Sequence, residues 1–213
     1  LEERFLEHPA LSIEQSRLVT NSMAEKARQN LLDAIALRHN YSERGFTEVM
    51  EMESVIDRYE DKLGTYLMKI TRKSLSPAQS DEVSKYLHTI SDFERISDHA
   101  SNLAEVMQEI HEKNAQFSAD AQRELEVLEG AIREIIRIAV EAFISNDEEL
   151  AIRVEPLEEV IDGLCDEMKS HHVERLQAGA CTLLQGFIFT DLTTNFERVA
   201  DHCSNIAVAI IEL

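Results

Sequence analysis

Six glycines and three prolines in a chain of 213 residues amount to about a third of the usual share. That is too few turn-formers for a sandwich, a barrel or a doubly wound sheet, and an all-α fold is the class that remains. Basic side chains are also scarce, 21 against 41 acidic ones, for a net charge of -20. A surface so acidic repels phosphate backbones and anionic lipid, which excludes nucleic acid as a partner and leaves cations or basic proteins. The three cysteines, Cys165, Cys181 and Cys203, form no CxxC pair, are odd in number and stand among apolar neighbours. They predict buried thiols in a reducing, intracellular setting.

Long apolar runs are missing too. The best candidates, Leu183 to Phe189 and Ile206 to Ile211, fall well short of the ~20 residues that cross a bilayer, so this fragment itself inserts into no membrane. The chain opens on Leu1 without a methionine and without a signal-peptide pattern, which reads as a piece cut from something larger. There is no P-loop, GxSxG, HExxH or dinucleotide-binding glycine pattern. No histidine has a glutamate three residues before it, so the Glu-x-x-His pair of ferritin-like di-iron enzymes is absent.

What is present is helical periodicity, with hydrophobic residues making up 44% of the chain. Six helices are expected. The first runs from Ser12 to Asn40; the second follows Gly45 and carries Val55, Ile56, Tyr59, Leu63, Leu67 and Ile70. Ser76, Pro77 and Gln79 make a start signal for the third, to about Lys113. Ser118 caps the fourth, Ser145-Asn146-Asp147 turns into a fifth from Glu148 to Ala178, and Gly179 precedes the sixth. Helices of ~30 residues reach ~45 Å, an elongated bundle.

The halves repeat each other. Phe93-Glu-Arg-Ile-Ser-Asp-His-Ala-Ser-Asn102 returns as Phe196-Glu-Arg-Val-Ala-Asp-His-Cys-Ser-Asn205, 103 residues later and identical at seven of ten positions. Val55-Ile56-Asp57 and Asp61 are echoed by Val160-Ile161-Asp162 and Asp166, 105 residues on. Two three-helix units related by an approximate twofold axis follow: residues 12–115 and 116–213, preceded by a linker over 1–11.

In each half a core row turns acidic partway along a helix. Val83, Leu87 and Ile90 lead by helical steps to Glu94, Asp98 and Asn102; Leu183 and Phe187 lead to Asp191, Thr194, Glu197, Asp201 and Asn205. Asp57 with Asp61, and Asp162 with Asp166, are four apart and share a face. If these rows converge, each like-charged pair at ~5 Å costs roughly 3 kcal/mol at an effective dielectric near 20, so the group needs protons, arginine or a cation. An oxygen-only donor set suits calcium, magnesium, manganese or ferric iron. Arg95 and Arg198 adjoin Glu94 and Glu197, ~100° round the helix, and are expected to pair elsewhere or to form part of a surface. His99 and His202, likewise off the acidic row, are expected to be structural. His171 and His172 are expected at the surface, and Met50, Met52, Met68, Met107 and Met168 in the core.

These decapeptides resemble the Glu-Arg-Ile-x-Asp-His-x-x-Asn signature of PhoU-like domains, regulators of phosphate uptake built from two three-helix bundles, and the match extends over nearly the whole chain. The resemblance implies metal ions, in some members multinuclear clusters, held by Glu94, Asp98 and Asn102, by Glu197, Asp201 and Asn205, and more loosely by Asp57, Asp61, Asp162 and Asp166. Iron, zinc, magnesium, manganese and calcium are the candidates. His88 and Asp92 correspond to Asp191 and Asn195, which predicts two sites of unequal charge. The opening Leu1 to Gln15, with Arg4 and Pro9-Ala-Leu11, resembles the segment joining a sodium/phosphate cotransporter's membrane domain to a C-terminal PhoU-like domain. That places a non-catalytic regulatory domain at the cytoplasmic side of the membrane, with the transporter's own membrane domain as its partner and a homodimer through shared cations as a further assembly. The alternative is a free-standing adaptor between an ABC phosphate transporter and a sensor histidine kinase. A carboxylate-bridged metalloenzyme is more remote, because the acidic rows carry no histidine ligand.

Overall fold

The computed structural model describes residues 1–212 as helices α1 (Pro9–Ala36), α2 (Glu43–Ile70), α3 (Pro77–Glu112), α4 (Ala119–Ser145), α5 (Glu148–Ala151), α6 (Val154–Gln177) and α7 (Leu183–Glu212), after a 3-10 turn at Glu3–Glu7. No strand occurs among the described residues. Most starts are written in capping chemistry. Ser42 accepts from the Gly45 amide, Ser118 from Ala121 and Asp147 from Leu150. Ser76 and Gln79 form the expected capping box, and Thr182 with Gln185 forms a second one at the start of α7 that periodicity alone did not flag.

Three features depart from the sequence reading. The expected fifth helix is broken between Ala151 and Val154. Pro156 has no N–H for the Ile152 carbonyl and its ring crowds that carbonyl, so the helix restarts. The residues expected to be a linker are packed down: Leu6 joins the core, the Tyr66 hydroxyl donates to the Glu2 carbonyl, and Lys69 and Lys73 pair with Glu3 and Glu7. Finally, Leu183 and Phe187, read as the apolar head of the α7 row, are 71% and 69% exposed. The buried face of α7 instead starts at Gly186, Ile188 and Phe189, and Leu183 and Phe187 lie on its outward side.

Helices α1, α2 and α3 pack on one another, as do α4, α6 and α7, and the two three-helix bundles meet where α3 lies along α7. Phe93 and Phe196, equivalent in the repeat, are both fully buried, and Phe143 of α4 meets Phe93 edge-on at 5.0 Å between centroids. A slender three-helix unit leaves one face of its central helix uncovered, and each half covers that of the other. At one end Arg38, just past α1, pairs with the buried Glu129 of α4, and His39 Nε2 lies 2.8 Å from its second oxygen. A charge buried this deeply persists only when paired.

The twofold relation is visible in the hydrogen bonds across the junction. His99 Nδ1 lies 2.9 Å from Asn195 Oδ1, to which the Asn102 amide also donates; His202 Nδ1 lies 2.9 Å from Asp92 Oδ1, to which the Asn205 amide donates. The histidines therefore bridge the halves, their rings 5.7 Å apart. Cys165 and Cys203 are buried as expected, whereas Cys181 is only partly so. His171 is exposed but His172 is buried, stacked on Phe189. Gly186 is what admits that ring, since a Cβ there would stand 2.6 Å from His172 Nε2. Met107 and Met168 fill the core as expected, Met52 packs partly buried against it and Met50 is half-buried; Met68 is exposed.

Candidate metal centre

On each side of the junction a carboxylate row of the central helix faces carboxylates of its neighbour. In the first half Glu53, Asp57 and Glu60 climb α2 by helical steps, opposite Glu94 and Asp98 of α3. Glu53, Glu94 and Asp98 each offer an oxygen within 4.8 Å of the others, and so do Asp57, Glu60 and Glu94. Glu94 thus belongs to two triads. In the second half Glu158 and Asp162 of α6 meet Asp201 of α7 within the same span.

The electrostatics are those of uncompensated acid. Burial first, and then the neighbouring Asp98, pushes the Glu94 carboxyl up to about 7. Burial followed by Asp162 and Asp201 does the same to Glu158, also to about 7. Glu53, Glu60 and Asp162 are raised as well, burial again leading. The arginines expected to pair elsewhere do reach back: Arg95 lies 3.7 Å from Glu94 and 3.3 Å from Asp98, and Arg198 lies 3.3 Å from Asp201. The long guanidinium stem spans the ~100° of helix rotation that the sequence reading treated as a barrier. Each remains exposed at the rim and so screens its partners only weakly.

These residues suit a hard cation. Oxygen ligands at 2.0 to 2.6 Å from one ion stand at most about 5 Å apart, and the triads span 4.8 Å. Asp162 Oδ1 is buried with no hydrogen-bond partner, a vacancy that a bound ion or water would satisfy.

Of the residues expected from sequence, Glu94, Asp98, Asp57, Asp162 and Asp201 come together. Asp61 and Asp166 do not; both are exposed outside the triads, since the eight residues from Glu53 or Glu158 turn the helix about 80° beyond two full turns and carry them past the seam. Asn102 and Asn205 are spent on the junction. Glu197 is held by Lys169, whose Nζ is 2.8 Å from its Oε2. Glu53, Glu60 and Glu158 were missed. The signal for two of them was available: Glu53 and Glu158 stand one turn before Asp57 and Asp162 at the same separation of 105, so the echo extends a turn further than the aspartates.

The PhoU domain profile matches residues 20–107 and again 125–210. Over 184 residues the chain is 26% identical to the phosphate-specific transport system accessory protein PhoU homolog 1 of Thermotoga maritima, covering 86% of this chain and 78% of that one. Two solved structures share the fold: PhoU of Pseudomonas aeruginosa, with a TM-score of 0.88 at 19% identity over 95% of this chain and 96% of that one, and the phosphate transport system regulatory protein PhoU of Streptococcus pneumoniae, with 0.83 at 13% over 96% and 95%. Both halves of the internal repeat are thus one domain occurring twice, and the chain belongs to the PhoU domain family.

Proposed function

We propose that this chain is a non-catalytic regulator of phosphate transport, working as an accessory to a phosphate-specific transport system at the cytoplasmic face of the membrane. Its relatives favour the free-standing adaptor over the cotransporter tail, since they are accessory and regulatory PhoU proteins. An ABC phosphate transporter and a sensor histidine kinase are the corresponding partners. The full reading frame distinguishes the two, since several hydrophobic helices encoded upstream of Leu1 would restore the cotransporter.

The observation that carries the metal reading is the double membership of Glu94 in two triads. Glu53, Asp57, Glu60, Glu94 and Asp98 would hold cations in the first half, and Glu158, Asp162 and Asp201 in the second. A bound cation would offset the repulsion among the carboxylates that the apolar packing of α2 on α3 brings together. Glu94 and Asp98 are fixed by a helix packed along most of its length, so the carboxylates are positioned before any ion arrives. Acid-only clusters lack the imidazole ligands used to tune redox metals, which favours regulation over catalysis.

Elemental analysis of purified protein should find retained metal that the double variant Asp98→Ala/Asp201→Ala loses; metal content unchanged in that variant rejects these ligands. In cells lacking the chain, phosphate uptake should escape its normal shut-off at high phosphate, and the wild-type gene should restore it. Unaltered uptake in the deletion strain rejects the transport role.

A further inference from the structure

The internal repeat supplies a control for every residue of the two acidic sites, and the sites do not match. Glu53, Asp57, Glu94 and Asp98 have Glu158, Asp162, Glu197 and Asp201 as counterparts, and Arg95 has Arg198. Two of the differences between the halves bear directly on these carboxylates. Cys165 stands where the first half has Glu60, and Lys169 stands where it has Gly64.

Both differences remove ligands from the second half. Cys165 is buried, its thiol directed to the Thr193 carbonyl at 3.9 Å, and burial pushes that thiol up to about 12. The Lys169 ammonium sits 2.8 Å from Glu197 and 3.8 Å from Asp166. In the first half Gly64 supplies no side chain at the equivalent position, and the nearest atom to a Cβ built on it is the apolar Ile90 Cδ1, at 3.7 Å. Glu94 is therefore free to join both triads, while its counterpart Glu197 joins none.

Resting on the cation reading given above, we propose that Lys169 is a built-in counter-ion that keeps Glu197 out of the second site, so that the first half is the high-affinity cation site and the second loads only later. An ion entering the second half meets three carboxylates, Glu158, Asp162 and Asp201, and a neighbouring positive charge. One entering the first meets five carboxylates and no lysine. Each half also carries a rim arginine: Arg95 reaches Glu94 and Asp98, and Arg198 reaches Asp201, but both are exposed and screen their partners only weakly. A cation can recruit Glu197 only by displacing the ammonium, which then keeps only the longer contact to the exposed Asp166. The buried, unpartnered Asp162 Oδ1 leaves the second site an acceptor that a cation would satisfy.

Titration of metal-free protein with Mn²⁺, followed by paramagnetic broadening of backbone amides, reads each half separately. Signals around Glu94 should broaden at Mn²⁺ concentrations at least tenfold lower than those around Asp162. Lys169→Gln, which keeps the stem and removes the charge, should bring the two halves together, and Gly64→Lys should push the first half toward the second. Circular dichroism establishes that each variant is folded, and Lys169→Met serves if Gln perturbs the helix. Equal affinities in the wild-type halves, or a Lys169→Gln profile identical to wild type, would overturn this inference while leaving cation binding in place. Absence of Mn²⁺ broadening in both halves would overturn the cation reading itself.

Discussion

Position 64 and position 169 are the same place in two copies of one three-helix unit, and they hold a glycine and a lysine. The scaffold around them is conserved between the copies down to the clasps: His99 and Asn102 grip Asn195, as His202 and Asn205 grip Asp92. What differs is charge. The first half gathers five carboxylates, and the second spends one on a lysine and replaces another by a thiol. A duplicated fold can thus keep its packing while its two sites drift apart in affinity, because the seam residues are partly exposed and do not determine whether the helices pack.

The largest break in that comparison should come from Glu94. Glu94→Gln removes a ligand from both triads at once and should weaken Mn²⁺ binding in the first half by roughly a hundredfold or more, whereas Glu197→Gln should leave that half unchanged. Isothermal titration on the two variants is the check, and equal losses would show that the halves are interchangeable after all.

Next in size is the effect of metal on stability. With Glu94 and Glu158 raised to about 7 from an ordinary 4.5, the folded metal-free chain binds protons more tightly than the unfolded one. The stability they contribute is fully present below 4.5 and is lost as pH rises through 7. Metal-free protein should therefore melt lower at pH 8 than at pH 5, and a cation at a hundred times its Kd should return about 2.7 kcal/mol at pH 8, a rise of roughly 5 to 10 °C. A melting temperature that rises with pH in the metal-free protein would contradict the reading of these carboxylates.

Away from the sites the halves differ in packing, and here smaller effects are expected. Gly186 and its counterpart Val83 occupy the same position, but His172 takes the space beside Gly186. Gly186→Ala should destabilise by about 1 to 3 kcal/mol, and in a His172→Ala background the penalty should fall to near zero, as a denaturation cycle would show. Smallest of all, Phe187→Ser restores the polarity of the equivalent Ser84 at an exposed position and should change stability by no more than about 0.5 kcal/mol. A larger loss would mean that the tip of α7 is packed against something.

Much of this was readable from the chain alone. Long amphipathic stretches, capping residues at Ser76 and Ser118, and a decapeptide repeated 103 residues apart specified six helices and a pseudo-twofold. The aspartates and glutamates of the central helices were found because a core row that turns acidic is conspicuous. Glu53, Glu60 and Glu158 were not, because they lie on the outer helices among many solvated acids and nothing in a helical period separates a carboxylate at a seam from one in water. The opposite errors share that cause. Asp61 and Asp166 keep helical spacing but rotate out of the seam, and Phe187 continues an apolar row on the side of α7 that faces outward, while Gly186, Ile188 and Phe189 face the neighbouring helices.

Composition and periodicity are local properties, and they determined the helices, their order and the duplication. Which carboxylates converge, which asparagines are claimed by the junction, and that Lys169 rather than a cation neutralises Glu197 depend on distances across helices. Those distances are set by how three cylinders and their mirror-like repeat pack together, and only the tertiary structure could decide them.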